Sequence, residues 1–538
     1  MGGWAVGLLA VTGLTFYPSI RPSVHPSIRP SAQSFWRPED RVLITDFSFV
    51  DAVAASPFTV FAATRRGLLL YDRRARRWRL PVTSLEGYPV SRVRVALAEV
   101  GDDAVWLGLA DGYARYDAGM RRWDRAFLAS GVTDFVIDTD DPVQGVWARA
   151  GGGGWIQISR FGPAPPGGTP PPPGRQIRPM DVEGALRLAP LADALRAMVL
   201  MDARLRMHQF TSAARSNDQP ELFFGTSGMG LVRLDPTTGE WEPLAFGLPA
   251  PRAGAVAPVP GEGVWVAASG RAGEPSGITR IADDLSAVSA GDASARATVG
   301  IEFLEARDLV ASGTALWLAT DRGLYRVDAR SLRGQRVDLT DDVWSLVPAP
   351  DGVWAGTPHG VVRVTGDGTA LLATPPVLSL ARMRDSVWVG TAAGLLVIGP
   401  GEEGESPAPE RAPDTPTVPG ALRGPIIALA QAADTLVAAT PDQLAWRRPR
   451  TGEWTVLRPA ADLGRIAVLA PDPDGVWVGG STGLAHWTVG AARFVTLRVP
   501  GDVPAAVRDV AVNGRYVWVA TDEGVVRFDR SAALRGGR

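Results

Sequence analysis

The 538-residue chain contains no cysteine and no lysine. The first absence excludes disulfides, thiol nucleophiles and cysteine metal sites. The second makes all 55 basic residues arginine. It excludes a Schiff-base amine and a P-loop lysine. Histidine is scarce: His25, His208, His359 and His486 are the four in the chain. None stands in a metal-ligand spacing such as His-x-x-x-His. An excess of either charge is also missing. A net charge of −2 gives no general attraction to nucleic acid or to an anionic membrane. The apolar stretch from Trp4 to Phe16 is shorter than the roughly 20 residues that a membrane helix needs.

What the chain does have is a repeat. Val353-Trp354-Ala355-Gly356-Thr357 with Gly360, Val387-Trp388-Val389-Gly390-Thr391 with Gly394, and Val517-Trp518-Val519-Ala520-Thr521 with Gly524 are clear copies. Anchors in this frame lie at Phe61, Trp106, Trp147, Phe223, Trp265, Trp317, Trp354, Trp388, Val437, Trp477 and Trp518. A short run of small residues precedes each anchor, as at Val93 to Ala98. A strand such as Leu324 to Asp328 follows the turn. A fourth run often carries an aromatic, as at Trp78, Trp123, Trp241, Trp454 and Phe494. These runs alternate or are wholly apolar, and Gly, Pro and Asp punctuate them. Four antiparallel strands in roughly forty residues make one propeller blade. One blade cannot bury both faces of its sheet, so blades must stack.

The fold class is therefore all-β: a β-propeller of about eleven four-stranded blades, with a short helical insert. Two rings of about six and five blades, or one large ring, accommodate that number. In the two-ring division, the blades from Phe223 to Trp388 form the five-blade ring, and the other six close across the termini. The last copy ends after its third strand, at Asp529. Ser34-Phe35-Trp36-Arg37-Pro38 looks like a fourth strand with no blade before it. The N-terminal run is thus expected to complete the last blade and hide two sheet edges.

Residues 1–33 read as a signal-like stretch followed by a Pro/Ser tetrapeptide repeat, from Pro18-Ser19-Ile20-Arg21 to Pro30-Ser31-Ala32-Gln33. Export to the periplasm or beyond is the expectation. The alternatives are an uncleaved anchor, or a start placed too early in a cytoplasmic protein. Blades 1–3 occupy 34–160, blades 4–8 occupy 209–398 and blades 9–11 occupy 421–530, with a tail at 531–538. Between them lie two inserts. The first, 161–208, begins with a Pro-rich loop. Leu188, Leu191, Leu195, Met198, Val199 and Leu205 then predict a helix from about Ala192 to Met207. The second, 399–420, is rich in Pro, Gly and Glu and reads as a loop.

The stretch Leu316-Trp317-Leu318-Ala319-Thr320-Asp321-Arg322-Gly323-Leu324-Tyr325-Arg326-Val327-Asp328 resembles the two-component regulator propeller repeat. The resemblance runs from 34 to 530, inserts excluded. In that family such propellers form the extracytoplasmic sensing part of hybrid kinases, often binding glycans. The nine residues after Asp529 are expected to carry none of the β-sandwich, membrane helix, kinase or DNA-binding domain usual in that family. The resemblance thus implies a non-enzymatic, free-standing propeller of the sensor or ligand-binding type, without a cofactor. Its partner would be a small molecule or glycan, or a protein. A protein-interaction scaffold is the alternative, and a propeller lyase or hydrolase using histidine and a divalent metal is a second.

Chemistry-bearing motifs are few. Asp102-Asp103, Asp140-Asp141 and Asp341-Asp342 fall in expected turns, where Asp caps backbone N–H groups. Arg65, Arg66, Arg73, Arg74, Arg76, Arg77 and Arg79 crowd the first blade, but strand alternation spreads them over both faces and a charged outer edge. The Thr-x-x-Gly turn joins the second and third strands, on the face that also carries the connections between blades. Its variable residues are the candidate ligand contacts: Arg65, Arg66, Asp111, Asp321, Arg322, His359, Asp522 and Glu523. The constant Thr and Gly are turn structure.

Overall fold

The computed structural model describes residues 36–536 except 142–144, 160–161, 164–170, 172–173, 191–198, 203–205, 217, 271–274, 287, 289–302, 332, 340–341, 367, 400–423, 449–450, 459–460 and 492–493. The N-terminal segment 1–33, most of the Pro-rich loop and the 400–420 loop therefore lie outside the described residues.

Among the described residues the strands form eleven antiparallel sheets, one for each repeat copy. Every anchor falls in the second strand of its sheet, from Phe61 in Thr59–Thr64 to Trp518 in Tyr516–Thr521. Second strands such as Ala104–Leu109, Ala315–Thr320 and Gly475–Gly480 are buried throughout. The fourth strand Arg122–Phe127 is half wet. Burial thus falls from the second strand to the outer edge, where charge is tolerated. Blades 5 and 8 show three strands, each followed by undescribed residues.

The repeat's constant residues have local causes. Thr64, Thr320, Thr357, Thr391 and Thr521 each donate Oγ1 to the carbonyl of the turn glycine, at 2.7–2.9 Å. The same oxygen accepts an amide from inside the turn, such as His359 N at 3.2 Å. The glycine takes φ of 138° at Gly360 and 133° at Gly524, where a side chain is strained. A second pairing was not read from the sequence. The residue opposite the anchor on the third strand is often arginine, and its guanidinium stacks on the anchor ring. Arg115 on Trp106, Arg280 on Trp265, Arg326 on Trp317 and Arg363 on Trp354 do so at 5.5–5.9 Å.

Inner strands reveal how the blades are grouped. Those of blades 5 to 11, from Arg252–Val259 to Val507–Asn513, pack in chain order, and blade 11 returns to pack against blade 5. Blades 1 to 4 pack in the order 3-2-1-4. The division is therefore seven and four, not six and five, and not one large ring. Polar residues of blade 11 fasten it. Asp509 of blade 11 accepts Val256 N of blade 5 at 2.8 Å. Asn513 donates Nδ2 to Gly263 O at 3.0 Å, and Gly261 N donates back to its Oδ1 at 3.3 Å. Arg527 donates to the carbonyl oxygens of Asp283 and Glu39.

Chain from the first insert joins the ends of the four-blade group. Gln176–Ile177 adds to the inner strand of blade 3, Met180 bridges to Ala213 of blade 4, and a helix at Val182–Arg187 packs on that blade's inner strand. The helix expected from Ala192 to Met207 is corrected where it is described. Val199–Met201 is a strand, paired with Met207–Gln209. The inner strand of blade 4 has an edge there, and the apolar run extends the sheet along it. No described helix is long and apolar enough to cross a membrane.

The fourth strand of blade 11 is Arg41–Ile44, a few residues later than Ser34 to Pro38. Trp36 lies outside that strand, donating Nε1 to Asp502 at 2.8 Å and packing on Phe528 at 5.2 Å. After Ile44 the chain leaves for the four-blade group, and it returns after blade 4. The two passages pair through Asp46 and Gly247, with Leu248 N on Thr45 O at 2.9 Å. One apolar core, including Phe47, Val53, Phe223, Leu248, Val266 and Trp518, runs across both groups.

Candidate functional site

A recurrent irregularity shapes the seven-blade ring. In blades 5, 6, 8, 10 and 11 the pairing of strands one and two slips by one residue just after the inner strand starts, as between Ala306 and Asp308. A bulge of this kind re-aims one side chain. The extra residues Gly254, Arg307, Leu378 and Arg508 line a cavity of about 330 Å³. Arg252, Ser269, Glu305, Ala306, Trp344 and Ile427 complete it. These residues come from six of the seven blades, so the cavity is the mouth of the central shaft.

The rim has two halves. On one, opposite charges alternate from blade to blade. Arg508 forks onto Asp522 at 2.9 and 3.0 Å, and Arg252 reaches the same carboxylate at 3.4 Å. Glu305 lies 3.9 Å from Arg252 and 3.3 Å from Arg307. Arg307 forks onto Asp342 at 3.0 Å, and Trp344 Nε1 donates to that carboxylate at 2.8 Å. Three guanidiniums meet three carboxylates, so the belt is neutral and its donors are held rigidly. The other half carries the aliphatic side chains of Leu378 and Ile427.

Below the rim, the residues after the bulge staple neighbouring blades. Asp308 accepts Leu309 N and Leu346 N, both at 2.7 Å. Asp509 accepts Val510 N and Val256 N, both at 2.8 Å. Ser379 donates to Ile426 O at 3.0 Å. Burial pushes the Asp308 carboxyl up to about 6, against the pull of those amides. Burial, then repulsion from Asp308, raises Asp509 well above the usual carboxylate range.

Of the turn candidates, Asp522 belongs to the rim. Asp321 supports it, accepting Leu304 N and Glu305 N at 3.0 Å and so fixing Glu305. Arg65 lies on the four-blade group, stacked on Phe49 at 3.5 Å. Asp111 pairs with Arg125 at 3.1 Å on blade 2. Arg66, Arg322, His359 and Glu523 place their amides on the turn threonines and line neither described cavity. The eight residues are thus dispersed over both groups. Arg252, Arg307, Arg508 and Trp344 were missed. Their signal was a charged or aromatic residue at the start of an inner strand: Arg307 and Arg508 hold the slot that Gly254, Leu378 and Ala467 fill in other blades, and Arg252 stands two residues before Gly254.

The remaining chemistry-bearing residues have structural partners. Arg73 of the first-blade cluster is buried and bonds Ser56 O at 2.8 Å and Asp218 at 2.9 Å, tying blade 1 to blade 4. Arg79 pairs with Asp103 at 2.6 Å. His208 meets Asp202 at 3.0 Å. His486 takes the arginine place opposite its anchor, 4.9 Å from the Trp477 ring, and meets Asp472 at 2.8 Å. Arg530 forks onto Asp472 at 2.7 and 2.8 Å and reaches Asp474 at 2.8 Å. The Asp472–Asp474–His486 group could ligate a metal by spacing, but Arg530 already occupies both carboxylates and offsets one of their two charges.

No family model matches the chain, and no curated protein matches it in sequence. Solved structures do match in fold. PorZ, a bacterial surface component of the type-IX secretion system of Porphyromonas gingivalis, aligns with a TM-score of 0.51 and 11% identity, over 91% of this chain and 87% of that one. The extracellular domain of a hybrid two-component system from B. thetaiotaomicron aligns at 0.40 and 12%, over 89% and 70%. Virginiamycin B lyase from Staphylococcus aureus aligns at 0.40 and 13%, over 51% and 94%. The chain is a multi-blade β-propeller.

Proposed function

We propose that the protein is an exported, non-enzymatic propeller of the sensor type, and that the mouth of its seven-blade ring binds a small neutral molecule. The observation that carries this reading is the two-sided rim. A belt of paired charges presents fixed donors and acceptors without net charge, which suits hydroxyl and amide groups better than ions. Trp344 and the aliphatic half offer apolar surface to the other face of the ligand. A sugar or other polyol has both faces. The three described histidines sit on three different blades, which favours binding over catalysis.

A thermal-shift screen of glycans and neutral metabolites against the full chain tests the proposal. A ligand at a hundredfold its Kd stabilises by about 2.7 kcal/mol. The shift should vanish in Arg307→Ala and in Trp344→Ala. Shifts that survive both substitutions would place binding elsewhere. A screen without any shift would remove the reading.

A further inference from the structure

The four-blade group carries its own cavity, of about 410 Å³, between blades 1 and 2. Asp51, Arg65, Tyr88, Val90 and Arg92 line it. Asp51 is the extra residue of the blade 1 bulge, the slot filled by Arg307 and Arg508 in the other ring. The same backbone device therefore aims a side chain of opposite charge.

The carboxylate is only half satisfied. Its side chain is 2% exposed, and Oδ1 accepts Arg92 Nε at 3.0 Å. Oδ2 is buried without a hydrogen-bond partner among the described residues. Burial raises the Asp51 carboxyl, and Arg92 and Arg65 pull it back. A buried acceptor left open is costly and calls for a donor. Two guanidiniums stand beside it. Arg65 is exposed, lies on the Phe49 ring, and makes no salt bridge within 4 Å among the described residues. Arg92 uses Nε on Asp51, and its side chain is 69% exposed. Tyr88 is fixed, donating its hydroxyl to Thr64 O at 2.7 Å. Val90, 97% exposed, forms an open apolar lip.

We propose that this cavity is a second binding site, selective for a free amino acid or a similarly small zwitterion. Its ammonium group lies against Asp51, whose carboxylate turns Oδ2 toward it on binding, and its carboxylate lies against Arg65 and Arg92. Ligands of one sign fit badly. A bare carboxylate meets Asp51 at close range, and a bare amine or metal ion meets two guanidiniums. A ligand with both charges satisfies each group at once, with charge-assisted hydrogen bonds on both sides. The open lip at Val90 leaves room for different side chains. This site is independent of the seven-blade mouth and stands whether or not that mouth binds a neutral ligand.

Isothermal titration calorimetry on the full chain tests it, with glycine, L-alanine and L-glutamate as probes. Acetate, methylammonium and trimethylglycine serve as comparisons. The amino acids should bind, and acetate and methylammonium should not. Trimethylglycine, whose nitrogen has no N–H, should bind at least about tenfold more weakly than glycine. Asp51→Asn should weaken alanine by about tenfold or more. Arg65→Gln changes an exposed side chain and removes its stacking contact with Phe49, so it should weaken alanine while the chain stays folded. That variant keeps the test open should Asp51→Asn fail to fold. Absence of heat with every amino acid, acetate binding as well as alanine, or full affinity in Arg65→Gln would each overturn the proposal.

Discussion

Val256 donates its backbone N–H to the carboxylate of Asp509 across 253 residues of chain. Blades 5 and 11 meet there, so one side chain closes the seven-blade ring on its shaft side. Asp509→Ala leaves the amides of Val256 and Val510 without their acceptor. Each buried unsatisfied donor costs roughly 1–3 kcal/mol. Urea unfolding should show a loss of about 2–4 kcal/mol. Asp134 holds the same slot in blade 3, where among the described residues it accepts the amide of its neighbour Phe135 at 2.8 Å and lies 3.9 Å from the exposed Arg178. Asp134→Ala should cost clearly less, and equal losses would argue against the closure role.

The second staple gives a pH dependence. Asp308 titrates near 6 in the folded protein, above the ordinary carboxylate value of about 3.8. The folded state keeps that proton at a pH where the unfolded chain has lost it. Its contribution is fully present below about pH 4 and is lost as pH rises through about 6. The stability difference between the native chain and Asp308→Ala should therefore be larger at pH 4.5 than at pH 7. Urea midpoints at the two values measure it.

Asp472 behaves in the opposite sense. Burial opposes its charge, but hydrogen bonds from His486 and Arg530 outweigh burial and hold the carboxyl well below the usual range. Its contribution is present above the ordinary carboxylate value and is lost only as pH falls well below it. Asp472→Ala strands His486 and Arg530 and should cost about 3 kcal/mol at neutral pH. Arg530 begins the C-terminal helix Arg530–Leu534, so that helix should lose protection from hydrogen exchange first.

Gly524 tests the N-terminal clasp. It sits at φ 133°, and a Cβ there would run into the carbonyl oxygen of Ile44. Gly524→Ala should destabilise by more than about 1 kcal/mol and speed proteolysis before residue 45. Gly394, at φ 123° with open space around its Cβ position, should suffer strain alone and leave the clasp intact.

The sequence carried the blade architecture because the repeat is a backbone requirement. Thr521 and Gly524 build a turn by local hydrogen bonding, and Trp518 fills the same place in its blade as the other anchors do in theirs. The grouping of blades was hidden for the converse reason. It rests on contacts such as Asp509 with Val256 and Asn513 with Gly261, which sequence spacing does not encode. The apolar run from Leu188 to Leu205 fits a helix when read alone. Strand pairing with Met207–Gln209 claimed its end because the inner strand of blade 4 offered a free edge. Candidate contacts in the turns pointed to the face that bears the mouth, and Asp522 belongs to its rim. Arg252, Arg307 and Arg508 escaped notice because a bulge, not strand alternation, aims two of them.

The paired passages at Asp46 and Gly247 have a further meaning. Everything between them enters and leaves the larger ring at one spot. The four-blade group is therefore a guest seated in a single loop of a seven-blade host. The host strand Arg41–Ile44 and the host blade beginning at Arg252 need only a few residues to be joined directly. A shorter relative without the guest would keep its shaft, its closure and its rim.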